Sequence, residues 1–350
     1  MSMLTKKWLA TLSLCAAAAT GLALAQDEAA PEEVADPAAE AVVEDEAAAE
    51  SEAPAAPAVP VKAMDSEIMP LTPKGLLLDV TNTGKRLIAV GDRGGIIASV
   101  NGQDWVQVKA PVRSVLTALS FADENNGWAV GHDATILATT DGGRTWKLQN
   151  FQPELEKPFL DVLFVDASKG FAVGAYGLFY QTIDGGQNWA EVSSPIREEE
   201  LHFNGIARLA NGDLFIAGEQ GMLAVSADGG ATWTKVTSPY ESSLFGVQPF
   251  GEKGALIYGL RGNAYVTQDA RGGEWTKLET NSVASIFGGL SLEDGGYALV
   301  GLNGVIFLVD GSGAVRSLQT PTGTPLSAAV AFGNGLLAVG ESGVQRVSLQ

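Results

Sequence analysis

Cysteine is almost absent from this 350-residue chain: Cys15 is the only one. A lone thiol excludes an internal disulfide and a thiolate metal site, so stability must come from packing. Histidine is nearly as scarce. His132 and His202 stand seventy residues apart, so each reads as a lone surface or turn histidine and a histidine metal centre is not expected. GxSxG, HExxH and phosphate-loop patterns are missing, and with them the usual signatures of hydrolases, zinc proteases and nucleotide enzymes. No cofactor or metal is implied. Basic residues are also few, 22 against 41 acidic, which argues against nucleic acid or an anionic membrane surface as a partner.

Long apolar runs are limited to one. Lys6 and Lys7 precede an uncharged stretch from Trp8 to Ala25, and Ala23-Leu24-Ala25 closes it before Gln26. This is the pattern of a secretory leader cleaved after Ala25, with export to a periplasm or a lumen-like space and no membrane insertion afterwards. Leu14 before Cys15 lacks the small residue that a lipid-attachment motif would place there. Residues 26–63 are almost wholly Ala, Glu, Asp, Pro and Val and lack aromatics. They read as a disordered acidic tether, too polar to offset its ordering entropy. From residue 68 onward, 28 acidic and 19 basic residues leave a net charge of −9.

What remains, residues 64–350, is periodic. A short apolar run ending in glycine recurs at Gly91, Gly131, Gly174, Gly218, Gly259, Gly301 and Gly340, at steps of 39 to 44 residues. Each unit reads as four short strands separated by turn signals, as in VLTALSF, GWAVG, TILATT and TWKLQ of the second. Four strands per period of about 40 residues is the signature of a propeller blade. The expected fold is therefore an all-β, seven-bladed propeller of four-stranded antiparallel blades. The seventh unit ends after enough residues for a third strand, so Ile68-Met69-Pro70-Leu71 is expected to supply its fourth and to join the two ends of the chain.

Three hairpins share the pattern S/T-x-D-x-G followed by Trp: Asp141 with Trp146, Asp184 with Trp189, and Asp228 with Trp233. The carboxylate can cap backbone N–H groups of its own turn, glycine permits positive φ, and Trp covers the hairpin. These residues read as a folding device, since nothing in them converges on one place. The pattern resembles the Asp-box of BNR-repeat propellers.

Aligned inner strands (LLDV, LTAL, LDVL, FNGI, LFGV, IFGG and LSAA) place Asp79, Thr117, Asp161, Asn204, Phe245, Phe287 and Ser327 at one position, a ring at a channel mouth. Asp79 and Asp161 are the one carboxylate pair that the fold itself arranges. They would be the acid and base of a glycoside hydrolase, the competing reading. The alternative is that each bonds backbone amides, and the short inter-strand loops favour it. A sialidase is not expected: its opening motif is approached only at Pro195-Ile196-Arg197, in a connecting loop.

The leader, the seven units, LLLDV opening the first and the Asp-box hairpins together resemble the photosystem II stability/assembly factor family. The resemblance implies a non-catalytic, monomeric lumenal or periplasmic scaffold that holds a subunit of a membrane protein complex during assembly. Related chains outside photosynthesis suggest a subunit of an RND-type exporter as another client. A mixed mouth of Asp79, Asp161 and Asn204 beside Phe245 and Phe287 would then be the docking face, with Phe245 and Phe287 as anchors.

Overall fold

The computed structural model describes residues 61–349. The expected leader, and all of the expected tether before residue 61, lie outside them. The described chain forms 27 strands and short one-turn 3-10 helices. Six antiparallel sheets have four strands and the last has three. Each sheet is one contiguous stretch: 77–108, 116–150, 159–191, 203–235, 244–277, 286–319 and 326–348, hereafter blades one to seven.

The second strand of a blade is covered by both neighbouring blades, which explains why its residues are apolar without alternation. In Leu87–Gly91, Gly127–Gly131, Gly170–Gly174 and Leu214–Gly218 every residue is buried. Seven apolar clusters result, one at each junction between consecutive blades. The cluster between blades seven and one contains Leu77, Ala89 and Ile97 with Leu337 and Val339. Each such aliphatic side chain contributes about 1.5–3 kcal/mol on full burial. The ring is therefore closed by packing.

It is not closed by the expected strand. Ile68 to Leu71 form no ladder, and Thr72–Lys74 make a 3-10 turn. The segment instead follows the outer edge of blade one. Ser66 N–H donates to Ala110 O at 2.8 Å, and Met69 N–H donates to Gln107 Oε1 at 2.7 Å. Gln107 Nε2 donates back to Glu67 O at 2.8 Å, and Ala110 N–H to Ser66 Oγ at 2.9 Å. The pyrrolidine of Pro70, which has no N–H, suits a side-chain clamp better than a ladder.

The repeated glycine also has a local cause. In every blade the first strand carries a bulge near its start, for example between Leu77 and Asp79 and between Phe203 and Gly205. The carbonyl before that strand then accepts the N–H that follows the repeated glycine: Asp92 N–H donates to Leu76 O at 3.1 Å, Ala175 N–H to Pro158 O at 3.0 Å, Leu302 N–H to Ser285 O at 2.9 Å. A Cβ on Gly91, Gly174 or Gly301 would overlap that carbonyl. The residue is glycine because two backbones must touch.

Candidate functional site

The inner ends of the blades form two layers, and the bulges decide which residue belongs to which. The extra residue of each bulge gives one layer: Leu78, Thr117, Leu160, Asn204, Phe245, Phe287 and Ser327. The next position gives the other: Asp79, Ala118, Asp161, Gly205, Gly246, Gly288 and Ala328. The single ring expected from sequence is thus corrected. Asp79 and Asp161 lie one residue further along, and Leu78 and Leu160 take their place beside Thr117 and Asn204. Counted from the first residue of each strand, Leu77, Leu116, Phe159 and Phe203, the two aspartates stand at the third position and Thr117 and Asn204 at the second, an offset that short apolar strands do not reveal.

Both carboxylates are committed to backbone. Asp79 Oδ1 accepts from Val80 N–H at 2.8 Å, and its Oδ2 from Leu119 N–H of blade two at 2.7 Å. Asp161 repeats the arrangement with Val162 at 2.8 Å and with Ile206 of blade four at 2.8 Å. Each therefore ties its blade to the next. Burial pushes both carboxyls up to about 7, against the pull of those amides, and the charge of Asp161 raises Asp79 further. Tyr258 is the buried hydroxyl of the same region. It lies against Gly246 and Gly289, and burial, followed by the nearby carboxylates, raises its own pKa. A raised carboxyl suits a general acid, but a glycosidase also needs a cleft. Two cavities, of about 370 and 380 Å³, are lined by residues between Val266 and Thr276 and between Ala138 and Gln187. Both lie at outer hairpins, away from the pair.

The first layer differs in how its side chains are used. Thr117 Oγ1 donates toward Val130 O at 3.1 Å and Phe159 O at 2.9 Å, and Asn204 Nδ2 donates to Leu244 O at 2.9 Å. Those polar groups are occupied by the adjoining blade. Phe245 and Phe287 contact each other with ring centroids 5.7 Å apart and a tilt of 48°, and both remain half-buried. The mouth is thus more apolar than the sequence suggested.

Around the same end of the blades runs a feature that sequence reasoning missed. After the repeated glycine the chain turns through G-x-x-G, and the third residue adopts left-handed backbone: Arg93 (φ 54°), Tyr176 (53°), Gln220 (53°), Arg261 (56°) and Asn303 (60°). All five are exposed. Only the repeated G-x-x-G spacing (GDRG, GAYG, GEQG, GLRG, GLNG) could have pointed to them. Left-handed backbone costs a non-glycine residue about 1 kcal/mol or more, so glycine would be the more stable choice.

At the opposite end sit the Asp-box hairpins. Asp141 Oδ1 accepts from Arg144 and Thr145 N–H, both at 2.9 Å, and its Oδ2 from Thr145 Oγ1 at 2.7 Å. Burial pushes Asp141 up, but the Thr145, Thr139 and Arg144 donors outweigh it and hold the carboxyl at about 2. Asp184 and Asp228 are likewise lowered, first by the Asn188 and Thr232 side chains. The buried hydroxyls matter as much: Thr139, Thr182 and Ser226 accept the N–H of Gly143, Gly186 and Gly230 at 2.7–2.9 Å. Trp146 and Trp233 are buried and Trp189 is packed less deeply, each in the cluster it shares with the preceding blade.

The histidines and the sialidase-like arginine are also placed. His132 follows the repeated glycine of blade two, and burial lowers its pKa. The His202 ring meets Tyr176 edge-on at 4.7 Å. Arg197 donates to Gly177 O and Val192 O and pairs with Glu191, holding a connecting loop. Among the described residues no cluster of His, Cys, Asp and Glu could hold a metal ion.

Geometry of this kind defines a seven-bladed propeller built on Asp-box hairpins, with one bulge-lined end. The family model described as photosynthesis system II assembly factor YCF48 matches residues 97–157 and 148–316, and the chain belongs to that family. The photosystem II stability/assembly factor HCF136 of Cyanidioschyzon merolae is 36% identical over 93 residues, 23% of this chain and 21% of that protein. The photosystem II assembly protein Ycf48 of Thermosynechococcus vestitus is 35% identical over 51 residues, 15% of each. The matched segments thus span about a fifth or less of those relatives. In fold, the chain is similar to a structure titled YCF48 bound to D1 peptide, with a TM-score of 0.64 and 17% identity over 85% of this chain and 97% of that one.

Proposed function

We propose that this chain is a non-catalytic assembly factor that holds a segment of a membrane-protein subunit at the bulge-lined end of the propeller. It acts as a monomer in a periplasm or lumen-like space. The observation that carries the reading is the crown of exposed left-handed residues. Arg93, Tyr176, Gln220, Arg261 and Asn303 keep side chains where glycine would relieve strain. Strain kept in five turns at one end is best explained by what those side chains touch. The half-buried Phe245–Phe287 pair inside the crown supplies an apolar anchor of the type that dominates protein interfaces. Family membership and the solved relative with a bound peptide support a polypeptide client over a sugar.

Arg93→Gly and Arg261→Gly provide the test, with Phe245→Ala and Phe287→Ala beside them. The glycine variants should keep or raise the melting temperature while reducing co-purification of a partner from solubilised membranes. Binding that survives all four substitutions, or that falls only in step with unfolding, refutes the docking face. Identification of the captured subunit distinguishes a photosystem client from an RND-type exporter.

A further inference from the structure

The last strand, Gly343–Ser348, is an edge of unusual length. It pairs on one side with Gly335–Gly340 and closes a three-stranded sheet. Elsewhere the outermost strands are shorter: Ala190–Glu191, Thr234–Lys235 and Thr276–Lys277 have two residues each, Val106–Val108 three, Lys147–Asn150 four and Val315–Gln319 five. Short edges of that kind give another chain little to pair with. The last strand of blade seven has six residues, of which Val344–Val347 are presented, one strand spacing inside the rim set by the fourth strands on either side. Its start is covered, since Gly343 lies against Pro73 and Lys74. From Val344 to Val347, no backbone bond leads away from the sheet among the described residues.

Charge distinguishes this edge from the rest of a predominantly acidic molecule. The strand itself and its neighbour Val315–Gln319 carry two arginines and no carboxylate. Arg346 donates to Asn101 O at 2.8 Å, and its guanidinium lies 4.9 Å from the Phe332 ring centroid. Arg316 donates to Leu349 O at 3.0 Å. Both are exposed, and neither bridges to a carboxylate among the described residues.

We propose that the edge Val344–Val347 docks an extended, carboxylate-bearing segment of a partner polypeptide, which adds as the fourth strand of blade seven. Main-chain hydrogen bonds supply the affinity. Side chains on the two faces of the added strand bring carboxylates to Arg346 on the side of blade one and to Arg316 on the side of blade six. The site is separate from the channel mouth and does not depend on it.

The probe is the peptide Ac-TVEEVVT-NH2, whose adjacent glutamates fall on opposite faces of an added strand, tested with the full chain by fluorescence anisotropy and amide hydrogen exchange. Outward amides of Val344–Val347 should exchange quickly in the free protein and slow about tenfold or more with peptide. N-methylation of alternate peptide residues should abolish binding. Arg346→Gln and Arg316→Gln, on different blades, should each weaken it severalfold, a Lys-for-Glu peptide should bind poorly, and Phe245→Ala should change nothing. Protection of these amides before peptide is added, indifference to N-methylation, or equal binding of the Lys peptide each overturns the proposal.

Discussion

Acidification should stabilise this protein across the range in which many proteins are near their optimum. Asp79 and Asp161 have carboxyls raised from the ordinary value to about 7. The folded state therefore holds their protons more tightly than the unfolded chain does. Their contribution to stability is fully present below about pH 4 and is lost as pH rises through about 7. The full difference between those values sets a ceiling of about 4 kcal/mol per carboxylate, at 1.36 kcal/mol per unit. Both side chains are half-buried, and water in the channel lowers that ceiling to about 1–2 kcal/mol each. His132 opposes the trend, because burial lowers its pKa and it resists protonation as pH falls through about 6.5. The lowered carboxyls of Asp141, Asp184 and Asp228 act only below pH 4. Urea unfolding of the parent and of Asp161→Asn at pH 5, 6, 7 and 8 separates the terms, since His132 is common to both. The variant loses one acceptor for the Val162 or Ile206 amide, a constant offset. The parent should lose about 1 kcal/mol more than the variant between pH 5 and pH 8. Parallel curves refute the reasoning, and a parent that gains on the variant with rising pH refutes the sign.

Gly174→Ala forces a Cβ onto Pro158 O and should cost about 1–3 kcal/mol, read as a lower denaturation midpoint. Thr182→Val leaves the buried Gly186 N–H without its acceptor and should cost about 1–3 kcal/mol in the same assay, with client capture per folded molecule unchanged. Gln107→Ala removes the clamp on Glu67, Met69 and Thr72. Hydrogen exchange should then quicken in residues 65–70, while global stability falls by only about 1 kcal/mol. A polysaccharide hydrolysis screen should find no activity that the Asp161→Asn variant lacks.

The fold was legible because its signals repeat. Seven glycines at one spacing, and Asp-x-Gly before Trp, are set by contacts inside a blade or with the preceding one, so the local sequence carries them. The site was less legible, for two physical reasons. The inner strands are too short and too alike to fix their alignment to one residue, so Asp79 and Asp161 were placed with Thr117 and Asn204, although counted from the first residue of each strand (Leu77, Phe159, Leu116, Phe203) they come one position later. Side-chain partners across a blade junction are also invisible in a strand pattern. Nothing in LTAL or FNGI tells that Thr117 and Asn204 spend their polar atoms on the neighbouring carbonyls of Phe159 and Leu244. The course of residues 65–69 was missed because their bonds run through the side chains of Ser66 and Gln107.

Because no strand is shared between the two ends of the described chain, every sheet can be finished from residues already made. A ribosome releasing this polypeptide completes one blade about every 40 residues, and each new blade finds its neighbour already waiting. Loop closure within a blade never spans more than a few tens of residues, so the entropic barrier stays small and equal from unit to unit. The contacts that must wait are those of blade seven with the start of the chain, chiefly the meeting of Leu337 and Val339 with Leu77 and Ala89. That meeting turns a curved stack into a ring. Cutting and rejoining the chain between any two blades should preserve the order of assembly and move only the place where the circle shuts.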